Sequence, residues 1–242
     1  MTSIPRLVSV LVLLTLSIAA IPGYAQVQIV RTPLTRAPAQ VQILGSKYRK
    51  HANRATDLAQ RGKLSEAMAS LRPVIKYCDG LIDAGYAMVS VNNELEYKAY
   101  IAASNSGAPI DWVDMACPGA YKTKAFIDID NKDNDAAQSA LDKAIQLAPF
   151  WAEPLVERGY LLNQLGRSGE ALDDYQRALE LVSRFQSNKY VEAIALRGLG
   201  YTHVELGDLD AAEQAYQASL KAEPDNALAL RELDYIHKQR KP

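Results

Sequence analysis

Apolar positions change their spacing along this chain, and each change predicts a different element. Leu7–Ile21 is a mainly apolar run without a charge. At roughly fifteen residues it is too short to span a bilayer comfortably. From Gln26 to about residue 45 no period is visible, and Pro33 and Pro38 stand among threonine, glutamine and alanine. That composition predicts an extended leader. Helical spacing begins at Tyr48. Leu58, Leu64, Met68, Leu71 and Ile75 share one face, and Gly62 separates them into a hairpin of Tyr48–Arg61 and Leu64–Tyr77, with Pro73 placed to kink the second helix. The next stretch breaks the helical period. Residues 87–91 and 110–113 carry β-branched and aromatic residues, which predicts two short strands. Asn93–Ser104 between them reads as a helix, followed by a Ser-Asn-Ser-Gly turn at 104–107. Residues 80–117 are therefore a strand–helix–strand insert with parallel strands, or one degenerate helical unit.

Beyond residue 118 the helical pattern repeats. Gly159, Gly166, Ala171, Tyr175 and Ala178 recur about 41 residues later as Gly200, Gly207, Ala212, Tyr216 and Ser219, with Pro224 after them. The intervals inside the two copies match, and self-similarity of this kind sets architecture before any single element does.

This pattern resembles the tetratricopeptide repeat, a helix–turn–helix unit of about 34 residues. One unit begins at Ala152 and the next at Ala193. Weaker copies begin at Pro118, at Ala227 and near Tyr48. The resemblance implies an α-solenoid: a hairpin at 46–79, the divergent segment at 80–117, and an array at 118–242 that ends in a capping helix. Small residues at the eighth and twentieth positions would let helices approach, and Tyr175 or Tyr216 would fill the space beside them. Gly166 and Gly207 would end first helices in the left-handed conformation. The stretch Ser183–Lys189 is about seven residues longer than a standard connection, so the second helix of that unit is expected to run on.

The resemblance also implies where a partner would bind. In such arrays the first helix of each unit lines a concave face. At the ninth position this chain carries Phe126, Tyr160, Tyr201 and Tyr235, and neighbouring groove positions give Lys122, Asn163, Arg197 and Arg231. Rings with amide and arginine neighbours suit an extended or helical peptide. The alternative is that these rings pack between helices and meet no ligand. Relatives that hold the carboxyl terminus of heat-shock chaperones use lysine and asparagine at the fifth and ninth positions of one unit. Here the ninth is aromatic and Lys122 stands alone, so that clamp is not expected.

Composition and address narrow the reading. Arg6 precedes the apolar run and Gly23-Tyr24-Ala25 supplies small residues for cleavage, so Met1–Ala25 reads as a secretory signal and the destination as periplasmic or secreted. Formal net charge is −1, and loss of Arg6 takes it to −2. That balance argues against a general nucleic-acid or anionic-membrane binder, and no second segment is apolar enough to span a membrane. The cysteines, Cys78 and Cys117, are an even pair, and an oxidising compartment predicts a disulfide clipping the divergent segment onto the array.

Chemistry finds less support. Asp128, Asp130, Asp133 and Asp135 invite a calcium reading, but Ala136 replaces the glycine such a loop needs, and helix capping by Asn134 or Asp135 explains the polarity. His51, His203 and His237 are scattered, and no nucleophile elbow or phosphate loop is present. The expectation is a non-enzymatic binder of another protein or peptide, without cofactor or metal, of open oligomeric state. Two alternatives stand beside it: a subunit of an envelope assembly using its convex face or insert, and an enzyme with a site near Trp112.

Overall fold

The computed structural model describes residues 43–104, 110–185 and 189–240, all within one compact unit, Gln40–Pro242. The signal segment, nearly all of the leader and most of the 104–107 turn lie outside these residues. Among them are ten α-helices, none long and apolar enough to cross a membrane. They are α1 (Arg49–Gln60), α2 (Leu64–Asp83), α3 (Glu94–Ala103), α4 (Ala116–Asp130), α5 (Asn134–Leu147), α6 (Glu153–Gln164), α7 (Ser168–Phe185), α8 (Lys189–Glu205), α9 (Leu209–Ala222) and α10 (Ala227–Gln239). Four antiparallel hairpins form in order: α1 with α2, α4 with α5, α6 with α7 and α8 with α9. Each packs on the next, and α10 packs on α9.

Local chemistry explains the turns. Gly62, Gly166 and Gly207 hold φ of 73°, 72° and 81° between the helices of three hairpins. Lys132 takes the same left-handed place in the α4–α5 turn at φ 60°, a conformation side-chain-bearing residues adopt at some cost. Asp133 and Asp208 then cap α5 and α9, their carboxylates accepting from the N–H groups of Ala136 and Ala211. Sequence reading placed the first cap at Asn134 or Asp135. It falls one residue earlier, because the left-handed residue ends the turn at Lys132. Asp128, part of the same acidic run, is buried and paired to Lys124 at 2.5 Å.

The divergent segment is a strand–helix–strand insert. β1 (Met88–Val89) pairs in parallel with β2 (Asp111–Trp112), with α3 between them. Leu44 adds an isolated parallel bridge to Val113. The insert does not interrupt the stack, since α1 and α2 both pack directly on α4. It is held at its base by three devices. The Ser90 N–H donates to the Leu147 carbonyl at the end of α5 (2.7 Å). Arg49 forks onto the buried carboxylate of Asp114. Cys78 of α2 and Cys117 of α4 form a disulfide, closing a loop of sequence separation 39 around the insert. Beside it, the Tyr121 hydroxyl and the Lys143 ammonium both donate to Asp79 at 2.7 Å, tying α2, α4 and α5 together.

Two helices differ in extent from the sequence reading. α2 runs past Pro73 to Asp83 rather than stopping at Tyr77, because Leu71, Val74 and Cys78 continue its buried face. α7 does run on, to Phe185, with Leu181, Val182 and Phe185 buried in its added turn.

Candidate peptide-binding groove

The first helices of successive hairpins, α4, α6 and α8, line one side of the stack, and with the first two turns of α10 they bound a groove of about 990 Å³. Phe126, Tyr160 and Tyr201 lie along it and are 45%, 50% and 43% exposed. Rings packed between helices would be buried, so the interhelical alternative does not describe these three. Asn163 and Arg197 line the same groove. Arg231 and Tyr235 do not; α10 contributes Leu228 and Glu232 instead. Ala229 and Ile236 are buried and Leu233 partly so in the packing of α10, which lies chiefly on α9.

The groove floor is set by two tyrosines that sequence reading treated as filler alone. Tyr175 and Tyr216 are buried, yet both line the groove. Each sits where the facing helix has no side chain. A Cβ on Gly200 would come within 2.9 Å of the Tyr216 ring. Tyr175 is wedged between Gly159 of its own hairpin and Gly198 of the next, where added Cβ atoms would fall 2.9 and 2.2 Å away. Gly198 was not singled out in the sequence, although two glycines inside one helix, Gly198 and Gly200, are a signal, since each weakens a helix unless close packing needs it.

This sets up a competition with a definite outcome. Gly198→Ala gains up to about 1 kcal/mol of helix propensity, but drives a methyl into a ring that Gly159 blocks from retreating. Overpacking of this kind costs about 1–3 kcal/mol, so the variant is expected to be less stable by about 1–2 kcal/mol. A urea midpoint at or above that of the wild type would show that Tyr175 is free to swing away.

Polar groups complete the site. Asn163 Nδ2 donates to the Thr202 hydroxyl at 2.9 Å, and Gln164 Nε2 to the Tyr160 hydroxyl at 2.6 Å. Lys122 lies 3.7 Å from Glu157 and 5.9 Å from the Trp151 ring centroid. Arg197 pairs with Glu223 at 2.5 Å. Burial raises the Glu153 carboxyl above its usual value; Lys122 opposes this, and Glu96 and Glu157 add to it. Burial likewise raises the phenols of Tyr175 and Tyr216, which stay protonated. Among the described residues, no group of three or more His, Cys, Asp or Glu is placed to hold a metal. Near the insert, Trp112 is flanked by Tyr97 and Tyr100, ring centroids 5.0 and 5.9 Å away.

Known proteins resemble this chain in the same terms. Residues 152–223 match the tetratricopeptide repeat family. A curated relative, Protein CTR9 homolog of Arabidopsis thaliana, is 29% identical over 139 residues, which is 57% of this chain and 12% of the relative. The chain thus matches only a small part of that protein's length. Among solved structures, the MamA RS-1 ArsTM double mutant is similar with a TM-score of 0.52 at 14% identity, covering 81% of this chain and 85% of its own. The first TPR of Spaghetti (RPAP3) bound to the HSP90 peptide SRMEEVD has a TM-score of 0.48 at 23% identity, covering 52% of this chain and 95% of its own. Residues 152–223 match the tetratricopeptide repeat family, and they are set within a solenoid of helical hairpins.

Proposed function

We propose that this protein is an exported, non-enzymatic interaction module that holds a peptide or helix of a partner protein in its concave groove. One observation carries the reading: Phe126, Tyr160 and Tyr201 expose about half their surface along a single groove while the floor beneath them is closely packed. Aromatic anchors on rigid helices lose little entropy on binding and dominate interface energies. Export rests on the signal-like Met1–Ala25 and suits the disulfide, which persists in oxidising compartments. The cell envelope is accordingly the place to look for the partner.

The test is affinity capture from envelope extract with the mature chain and with a Tyr160→Ala, Tyr201→Ala double variant of equal stability. Both rings are exposed, so their loss leaves the core in place. The expected result is a partner retained by the wild type and reduced tenfold or more by the variant. Equal retention by both forms would move the contact off the groove.

A second reading has its own observation. Leu95, Tyr97 and Ile101 are exposed on α3, and apolar side chains gathered on one element mark contact surfaces when they form a patch. Equal retention in the capture experiment, together with loss on Leu95→Glu, Ile101→Glu, would favour an assembly role for the insert.

A further inference from the structure

The groove has an electrostatic character that narrows its ligand, provided that the groove reading itself holds. Its lining includes four carboxylates, on Asp130, Glu153, Glu157 and Glu232, and two cations, on Lys122 and Arg197. Both cations are engaged within the chain. Lys122 lies 3.7 Å from Glu157 and its charge also acts on Glu153, and Arg197 is held by Glu223. Among the described residues Asp130, Glu153 and Glu232 form no ion pair within 4.0 Å. At the α4–α6 end the imbalance is sharpest, where Glu153, Glu157 and the nearby Glu96 share the field of one lysine.

One atom of the floor adds to this. Asn163 Oδ1 is buried and has no hydrogen-bond partner, whereas the Tyr216 hydroxyl, equally without one, can donate or accept and so sets no preference. Both residues line the groove. A buried polar atom without a partner carries a desolvation penalty that a ligand can relieve. A carbonyl oxygen only accepts, and carboxylates only accept, so the surface as a whole asks for donors. Lysine and arginine are donors without acceptors. Their cations also favour the faces of tyrosine and phenylalanine, which flank the groove.

We infer that the groove takes a partner segment in which arginine or lysine alternates with apolar side chains, a cation sitting at Glu153 and Glu157 and the apolar groups against Phe126, Tyr160 and Tyr201. An acidic segment would set carboxylate against carboxylate in a partly desolvated site, where like charges repel most strongly.

A random-peptide display library, selected on the mature chain and in parallel on the Tyr160→Ala, Tyr201→Ala variant, tests this. The expected result is enrichment of lysine and arginine over aspartate and glutamate, lost on the variant. A labelled peptide from that pool should bind about tenfold more weakly to Glu153→Gln, Glu157→Gln and weaken further as salt is raised. Acidic or charge-neutral peptides that still depend on Tyr160 and Tyr201 would overturn the charge inference and leave the groove reading intact. Selection that ignores the tyrosines, or that enriches nothing, would overturn both. Among the described residues Glu157 forms one ion pair, to Lys122 at 3.7 Å, and Glu153 forms none, so glutamine at both sites, nearly the same in shape, should leave the fold unchanged.

Discussion

Replacing Cys78 and Cys117 by serine should lower stability by about 3–4 kcal/mol. The bond closes a loop of sequence separation 39, and for loops of that size the chain-entropy account gives a value between about 3 and 4.7 kcal/mol. For a chain of this length that is roughly 10 °C in melting temperature. The loss should also be uneven. The disulfide joins α2 to the first turn of α4, and the insert hangs between those two points. Gly45, at φ 80°, sits against Tyr77 and the Cys117 sulfur, and Leu44 leans on β2 through its bridge to Val113. Removing the sulfurs therefore loosens the insert and the Leu44 bridge before it reaches α6–α9. Hydrogen exchange with and without reductant reads this directly. Protection should fall first at Val113 and Asp114, whose N–H groups bond Val89 and Leu44, while α7 and α9 keep theirs. A melting temperature indifferent to reductant would mean that the two sulfurs are not joined in the protein as isolated.

Some of this was legible in the sequence and some was not, for physical reasons. The array from Ala152 to Pro224 was legible because glycine and tyrosine at fixed intervals admit one packing: Gly159 and Gly200 exist to receive Tyr175 and Tyr216. The insert was legible only as one of two alternatives: β-branched residues interrupt the helical period and a helix between two extended segments favours parallel pairing, but the segment is also close to one repeat in length. The α4–α5 turn was harder, since Lys132 fills a left-handed position by tertiary constraint and gives no sign of it in its side chain. The groove was half legible. Phe126, Tyr160 and Tyr201 follow from repeat position, but position alone could not show that the walls end within the first two turns of α10, leaving Arg231 and Tyr235 outside. Nor could it show that Tyr175 and Tyr216 serve core and groove together, because how deeply each ring sits is settled by the backbone it faces. Charge was least legible. The chain is nearly neutral as a whole, and the groove's excess of four carboxylates over two cations appears only once folding brings its lining together.

Arg158→Ala should be destabilising by about 3 kcal/mol, far more than loss of any surface ion pair here. Its guanidinium forks onto Asp174 of α7 at 2.6 and 2.7 Å and reaches Asp142 of α5 at 2.6 Å. Three helices from two hairpins meet at this one side chain. The Asp174 hydrogen bonds hold the guanidinium above its ordinary pKa, so it is always charged. The two carboxylates differ in what they lose. The Asp142 side chain is 48% exposed and water replaces its partner, a change worth about 1 kcal/mol or less. That of Asp174 is 7% exposed, and without Arg158 a charge remains in a site that water reaches poorly. Breaking a buried pair from one side costs about 3–5 kcal/mol, whereas replacing both partners by apolar groups is often neutral. The lower end applies because Arg158 keeps 24% of its side-chain surface. The order expected in urea is therefore Arg158→Ala weakest, Asp142→Ala close to wild type, and an Arg158→Met, Asp174→Leu pair recovering most of the loss. An Arg158→Ala midpoint equal to that of Asp142→Ala would mean that Asp174 is solvated in solution and that the hairpins are joined by apolar packing alone.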